Sequence, residues 1–153
     1  MKWSWRLLLG AAVVVGAADT AEGLCRLQVT PVAFGTYNVF LTSATASTGT
    51  ISYRCGPQDN NIRITISAGS SGTFAQRTLR RVGQPADTLT YNLYQSPPPA
   101  QIWGDGSGGT WSLFVANPTK NEWVDVPVFG SIPSEQDAGV GAYSDTVIVT
   151  LEY

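Results

Sequence analysis

Apolar and polar residues alternate in short stretches along most of the chain. Ile62, Ile64 and Ile66 alternate with Arg63 and Thr65. This period of two is typical of an antiparallel strand with one face buried. Leu89, Tyr91 and Leu93 repeat the pattern, and in the last stretch one set of alternating residues is Val147, Val149, Leu151 and Tyr153. Beyond residue 23 no stretch has helical periodicity, so the pattern predicts seven or so short strands in one β-sandwich.

Turn residues separate these stretches. Further strands are predicted at residues 24–32, 49–55, 111–115 and 123–129. Prolines 97–99 interrupt any strand ladder because proline lacks an N–H donor, and the glycines of residues 104–109 supply positions of positive φ for a turn. In segment 49–55, the alternation places Ile51, Tyr53 and Cys55 on one face, which turns Cys55 inward.

The first 23 residues are predicted to be a cleaved signal peptide. Lys2 and Arg6 give the start a positive charge, residues 7–18 are apolar or small, and cleavage is expected between residues 18 and 23. The apolar run is too short for a stable membrane anchor, so no membrane span remains after cleavage. Lipidation is rejected because Leu24 stands where a small residue must precede Cys25. The mature domain is then residues 24–153, exported by the Sec pathway.

The chain has two cysteines, Cys25 and Cys55. In an oxidising compartment the default for such a pair is a structural disulfide, and metal binding is the weaker alternative. The bridge would close a loop of about 30 residues and stabilise the fold by roughly 3–4 kcal/mol.

Composition argues against catalysis and against nucleic acid. The 153 residues include no histidine, and 9 Lys and Arg against 11 Asp and Glu give a net charge of -2. The usual catalytic base and most zinc sites are therefore missing, and no basic patch suits phosphate binding. We expect no enzyme, no cofactor and no metal, and interpret the carboxylates as solvated loop acids rather than a glycosidase pair. These acids are Asp59, Asp87, Asp105, Glu122, Asp125, Glu135, Asp137, Asp145 and Glu152.

Three residues are candidates for surface or ligand contact: Trp103, Asp105 and Trp111. Exposed tryptophans could stack on sugars, but tryptophan is more often core, and Asp105 also suits a tight turn. The calcium-loop pattern that would give Asp105 another role is missing. Arg77, Arg80 and Arg81 are interpreted as a solvated strand edge that discourages pairing with other chains.

Eight segments, in order, resemble one family. They are FGTY (34–37), TGTISYRC (48–55), ISAGSSGTF (66–74), RTL (77–79), LTYNLY (89–94), WGDG (103–106), VFGSIP (128–133) and GAYSDTV (141–147). Together they resemble the spore coat protein U domain, which is shared by secreted subunits of archaic chaperone-usher pili. Each segment is weak alone, whereas the ordered set is specific and covers almost all of the mature chain.

The resemblance implies an incomplete immunoglobulin-like sandwich, closed by a donated strand. A periplasmic chaperone would lend that strand, an outer-membrane usher would export the subunit, and a neighbouring pilus subunit would later supply the strand. The residues implied to line the open groove are Val147, Val149, Leu151 and Tyr153. The alternative for these four is an ordinary closed core strand.

One departure concerns the segment that would donate a strand. Subunits of this family carry roughly ten alternating residues before the first cysteine, whereas at most residues 19–24 precede Cys25 after cleavage. We therefore expect a subunit that accepts a strand but hardly donates one, at the tip or end of a fibre or outside one. The hypothesis is a surface subunit for attachment and biofilm formation, and the alternative is a stand-alone carbohydrate- or surface-binding adhesin.

Overall fold

The computed structural model describes residues 2–8 and 25–153. The predicted cleavage region, residues 18–23, lies outside the described residues. Among these residues the structure has no α-helix, and therefore no helix that is long and apolar enough to cross a membrane. The strands are β1 (Lys2–Leu8), β2 (Arg26–Thr30), β3 (Thr45–Arg54), β4 (Ile62–Ile66), β5 (Arg77–Arg81), β6 (Gln84–Tyr94), β7 (Leu113–Val115), β8 (Val124–Ile132), β9 (Tyr143–Ser144) and β10 (Thr146–Glu152).

The strands form two sheets that enclose one core. The smaller sheet has the order β1-β10-β4-β7, and the larger has the order β2-β3-β8-β6-β5-β9. Every pair between these strands is antiparallel. The predicted all-β sandwich is therefore confirmed.

The inward positions are those that the alternation predicts. Isoleucines 62, 64 and 66 of β4 are at most 1% exposed, and Leu89, Tyr91 and Leu93 of β6 are at most 3% exposed. Ile51, Tyr53 and Cys55 are also buried on one face. Strand ends differ by a few residues from the sequence prediction: the segment predicted at 111–115 is a strand only over Leu113–Val115. The prediction missed β5 and β9, and assigned β1 to the leader.

The predicted disulfide is confirmed. Cys25 and Cys55 are bonded with an S–S distance of 2.09 Å, and both are buried. The bridge joins the start of β2 to the end of β3, where Arg26 pairs with Arg54. Asp59 lies close to both sulfur atoms, but the sulfurs are bonded to each other and so offer no thiolates to a metal ion.

Candidate functional site

The last strand, β10, contains the residues that the family resemblance implies to line an open groove. Val147, Val149 and Leu151 are at most 1% exposed and belong to the core, while Tyr153 is half-buried and packs against it. The residues between them, such as Ile148 and Thr150, are half-buried on the outward face. The inward alternation is thus present, whereas the role of these four residues as a groove lining stays a prediction.

The two edges of β10 have different partners. On one side Val149 to Glu152 pair with Ile66 to Arg63 of β4. On the other side all seven residues of β10 pair with β1, from Thr146 opposite Leu8 to Glu152 opposite Lys2. β1 lies wholly inside the predicted signal peptide. Without Lys2–Leu8, β10 would be the edge strand of its sheet, with unpaired N–H and C=O groups along its full length.

A buried carboxylate fixes the start of β10. Asp145 is 4% exposed, and its Oδ2 accepts a hydrogen bond from the Tyr91 hydroxyl at 2.8 Å. Its Oδ1 accepts from the backbone N–H of Ser70 at 3.0 Å and of Thr146 at 2.8 Å. Burial, and then the adjacent Asp145 charge, raise the pKa of Tyr91 above its ordinary 10.0.

Gly69 makes room for this carboxylate. It has a φ of +73°, and a Cβ at this position would lie 2.3 Å from Oδ2 of Asp145. Asp145 is therefore not the solvated loop acid that the sequence predicted, because three donors replace the water that burial removes.

Asp59, near the disulfide, is also not the solvated loop acid that the sequence predicted. It is 8% exposed, and its Oδ2 accepts a hydrogen bond from the backbone N–H of Gly56 at 2.7 Å. The Lys120 ammonium donates to the backbone carbonyl of Asp59 and to Oδ1 of Asn60. Asp105, Glu122, Glu135 and Asp137 are exposed outside the strands, as the loop-acid prediction expects. Asp125 is also exposed but lies in β8, where its Oδ1 accepts a hydrogen bond from the Ser52 hydroxyl, and Asp87 and Glu152 lie in β6 and β10.

The prediction that Arg77 belongs to a solvated strand edge is wrong, because Arg77 is 0% exposed. Its guanidinium donates to Oδ1 of Asn92 at 2.6 Å, to the carbonyl of Ser67 at 2.8 Å and to that of Trp103 at 2.7 Å. It also lies over the Phe74 ring, 5.4 Å from the ring centre. Desolvation lowers its pKa from 12.5 to about 10.

The sequence held a signal for this burial that the prediction missed. Arg77 and Leu79 occupy alternate positions of β5, and Leu79 is 4% exposed. The period of two therefore puts Arg77 on the inner face. Arg80 is exposed, and Arg81 forms a 2.8 Å ion pair with Asp87. Arg77 ties the end of β4 to β6 and to the segment of Trp103.

Trp103 is wrong as a surface contact, because it is 0% exposed. Its backbone N–H donates to Leu93 of β6, and its indole N–H donates to the Ile64 carbonyl of β4 at 3.3 Å. The tryptophan thus fills the space between the two sheets. Trp111 is half-buried and meets it edge to face, with ring centres 5.2 Å apart.

Asp105 is exposed and closes a tight turn. Its Oδ1 accepts hydrogen bonds from the backbone N–H of Ser107 at 2.8 Å and from its hydroxyl at 2.6 Å, which lowers the pKa of Asp105 below 3.8. Gly106, Gly108 and Gly109 take the positive φ values predicted for them. Asp105 and Phe74 border a shallow cleft of about 330 Å³ over the outward face of β4 and β10, which Thr65, Ser67, Ile148 and Thr150 also line.

Several exposed apolar side chains lie in loops toward one end of the larger sheet. Thr45 at the start of β3 pairs with Ile132 at the end of β8, and β6 runs antiparallel to β8, so the turn between β5 and β6 lies toward the same end. We call it the apolar end; its exposed residues are Phe40 (89%), Leu41 (48%), Val82 (68%) and Val140 (93%). No alternation or motif in the sequence marks these residues, although Val82 and Val140 are both next to loop glycines.

Comparisons with known proteins identify the group to which this architecture belongs. The sequence matches the family described as Spore Coat Protein U domain over residues 11–150. It is 34% identical to Protein U of Myxococcus xanthus over 131 residues, which are 78% of this chain and 70% of that protein.

A solved structure is similar in fold. It is the crystal structure of the CsuC-CsuE chaperone-tip adhesion subunit pre-assembly complex from archaic chaperone-usher Csu pili of Acinetobacter baumannii. The match has a TM-score of 0.58 and 26% sequence identity, and it covers 88% of this chain. This chain spans 40% of the length of the matched chain.

Proposed function

This chain belongs to the Spore Coat Protein U domain family, and from that premise we propose that it is a subunit of a chaperone-usher pilus or cell-surface coat, completed by a strand donated from a partner. The observation that carries the proposal is the partner of β10. Its outer edge is covered by Lys2–Leu8, which fall within the predicted signal peptide. Removal of that segment would expose a sheet edge beside the inward residues Val147, Val149 and Leu151.

Strand addition at this edge has a clear physical basis. A donated strand forms main-chain hydrogen bonds with β10, and its alternate side chains enter the core beside the inward residues. The same edge left open favours pairing with other chains, which leads to aggregation. The proposed partners are therefore a periplasmic chaperone that covers the edge first, an outer-membrane usher, and another subunit of the same family. The proposed destination is the cell surface, where the subunit contributes to attachment and biofilm formation.

The test is expression of the leader-bearing chain in a bacterial periplasm, with and without a co-expressed periplasmic chaperone of the archaic chaperone-usher type. We expect a soluble one-to-one complex with the chaperone, and aggregation or degradation without it. A processed chain that accumulates alone as a stable monomer, and binds no chaperone, would contradict the open edge.

We also propose a terminal position in the fibre. With cleavage at residues 18–23, at most six residues precede Cys25, and at about 3.3 Å per residue they span at most ~20 Å. Such a segment fills only part of a groove in a neighbour, so the subunit accepts a strand more readily than it donates one. Sequencing the N-terminus of the purified mature protein tests this: a start before residue 16 would leave a full donor segment and overturn the proposal.

A second candidate function is direct adhesion through the apolar end. Two hydrogen bonds join pairs of loops in this region: the Tyr37 hydroxyl donates to the Pro133 carbonyl at 3.1 Å, and the Val82 N–H donates to the Ala142 carbonyl at 2.8 Å. Apolar side chains displayed on braced loops suit contact with an apolar surface.

We expect Phe40→Ser with Val140→Ser to reduce adsorption of the chaperone complex to polystyrene beads several-fold. The matched control is Trp123→Ser, which removes an exposed apolar side chain at the other end of β8. Equal adsorption of the double variant and the control would exclude the apolar end as the contact surface.

A further inference from the structure

The segment that covers β10 is itself patterned as a strand. Trp3, Trp5 and Leu7 alternate with Lys2, Ser4 and Arg6. A signal peptide needs positive charge at its start and an apolar run after it, and residues 7–18 supply that run. Targeting therefore does not account for the alternation within residues 2–7, whereas a half-buried strand does.

The pairing register puts the apolar positions of β1 opposite the inward residues of β10. Trp3 lies opposite Leu151, Trp5 opposite Val149 and Leu7 opposite Val147. Residues directly opposite each other in an antiparallel pair share a face of the sheet, so the apolar positions of β1 are on the face that β10 turns inward. A shift of one residue would put Lys2, Ser4 and Arg6 at the core-facing positions instead.

Chain length permits the arrangement. Sixteen residues, 9–24, separate Leu8 from Cys25. At about 3.3 Å per residue they can span up to ~50 Å, about twice the length of the seven-residue β10. Leu8 lies opposite Thr146, at the start of β10, and this length of chain is sufficient to connect that end of the strand to the disulfide.

From this juxtaposition we propose that residues 2–8 serve as an internal donor strand in the unprocessed chain, so that removal of the leader creates the acceptor edge. Before processing, β10 has both neighbours and takes no strand from outside. A signal peptidase then hydrolyses one peptide bond, with one water molecule supplying the hydroxyl to the new carboxyl end and one proton to the new amine. The leader strand is no longer tethered, and a partner strand can replace it at β10. This inference rests on the proposed function, because it identifies what occupies the edge before a partner does.

The test uses the full chain with its disulfide formed and cleavage blocked, in three forms: unchanged, Trp5→Asp, and Ser4→Asp as the matched control on the outward register. Hydrogen exchange read by mass spectrometry compares β10 with β4, and a labelled peptide of sequence KWSWRLL reports an open edge. We expect β10 of the unchanged chain and of Ser4→Asp to exchange as slowly as β4 and to bind no peptide. Trp5→Asp should raise exchange in β10 by about tenfold or more, with β4 unchanged, and should take up the peptide.

The inference is overturned if Trp5→Asp leaves β10 as protected as in the unchanged chain, or if Ser4→Asp opens the edge equally. This outcome differs from failure of the proposed function. Should the processed chain still form its one-to-one chaperone complex while the residue 5 variant changes nothing, the internal donor strand is wrong and the acceptor edge stands. A processed chain that binds neither chaperone nor peptide contradicts both.

Discussion

The two edges of β10 are built from different parts of the chain. The β4 edge is formed by strands within the domain and is reinforced by Arg77, which binds the carbonyl of Ser67 just beyond β4. The β1 edge consists of seven backbone pairs, from Leu8 with Thr146 to Lys2 with Glu152, whose residues are 138 to 150 positions apart along the chain; β1 lies within the predicted leader. One side of the strand is thus a fixed part of the sandwich, and the other side depends on a segment that the predicted signal-peptide cleavage would remove.

This difference shows how the proposed acceptor strand can also belong to the core. The inward residues of β10 are as deeply buried as those of β4, so the inward side chains of both strands belong to the core. What differs is the source of the hydrogen-bonding neighbour. A strand held by β4 on one side can therefore exchange its neighbour on the other side, and the alternate side chains of the new strand then enter the core beside its inward residues.

The largest effect is expected from a charge on the inward face of β10. Val149→Asp buries a carboxylate where Val149 is 0% exposed, and should cost more than about 4 kcal/mol of unfolding free energy. Ile148→Asp, on the outward face next to it, should cost on the order of 1 kcal/mol. Urea unfolding of the full chain measures both. Equal losses would show that the inward and outward faces of β10 are not distinct.

Removal of the disulfide is expected to weaken both edges of β10 alike. Cys25→Ser with Cys55→Ser should lower the unfolding free energy by roughly 3–4 kcal/mol, because the 30-residue separation is no longer constrained in the unfolded chain. Adding a reductant to the unchanged chain should reproduce the loss, while the double variant should not respond. Hydrogen exchange confined to one edge would contradict a shared effect.

Loss of the buried arginine should act on the β4 edge. Arg77→Met leaves the carbonyls of Ser67 and Trp103 without their donor, at an expected cost of about 3 kcal/mol. Arg80→Met removes an exposed guanidinium from the same strand and should change the unfolding free energy by less than about 0.5 kcal/mol. The midpoint of urea unfolding separates the two variants. A similar midpoint for both would mean that Arg77 does not support the sheet.

The smallest effect concerns the start of β10 and depends on pH. Tyr91→Phe removes the hydrogen bond to Asp145, which should cost about 1.5 kcal/mol at neutral pH. Burial raises the pKa of Tyr91 above 10.0, so the unfolded phenol loses its proton first and stability falls as the pH rises above 10. Arg77 acts in the opposite sense there, because its pKa of about 10 in the folded chain lies below 12.5.

The alkaline loss of stability should therefore be less steep in Tyr91→Phe than in the unchanged chain. The control is Tyr143→Phe, whose hydroxyl donates to the Gly139 carbonyl at the surface. Unfolding free energies measured between pH 8 and pH 11 test the difference. Identical slopes for the unchanged chain and Tyr91→Phe would contradict the role given to the buried phenol.

Local alternation was sufficient to predict the strands whose inner face is aliphatic. The three isoleucines at 62, 64 and 66 are buried as predicted. A period of two with β-branched residues on one face favours a strand that turns that face toward the core of a sandwich. Arg77 follows the same period, yet charge alone suggested exposure. Its burial depends on carbonyl groups from β4 and from the Trp103 segment, which no local pattern reveals.

Pairing between distant segments also limited how much of the candidate site could be predicted from the sequence. Sequence alone predicted β10 and its inward residues, which the structure contains, and it predicted residues 1–23 to be a leader. It did not pair Lys2–Leu8 with β10, because charge and apolar residues near the start already had an explanation in targeting. Trp103 was ambiguous for a related reason: tryptophan suits both core and surface, and only the position of Leu93 and Ile64 on either side decides between them.

The most direct test of the open edge is crosslinking from β10 in the processed chain bound to its chaperone. A photoreactive residue replacing Thr150 lies next to the place that β1 leaves, whereas the same group replacing Phe114 lies on β7, the opposite edge of the sheet. We predict that position 150 crosslinks to the chaperone, and to the adjoining subunit in assembled fibres, while position 114 crosslinks to neither. Crosslinks from position 114 instead of position 150 would contradict the assignment of β10 as the edge that accepts a strand.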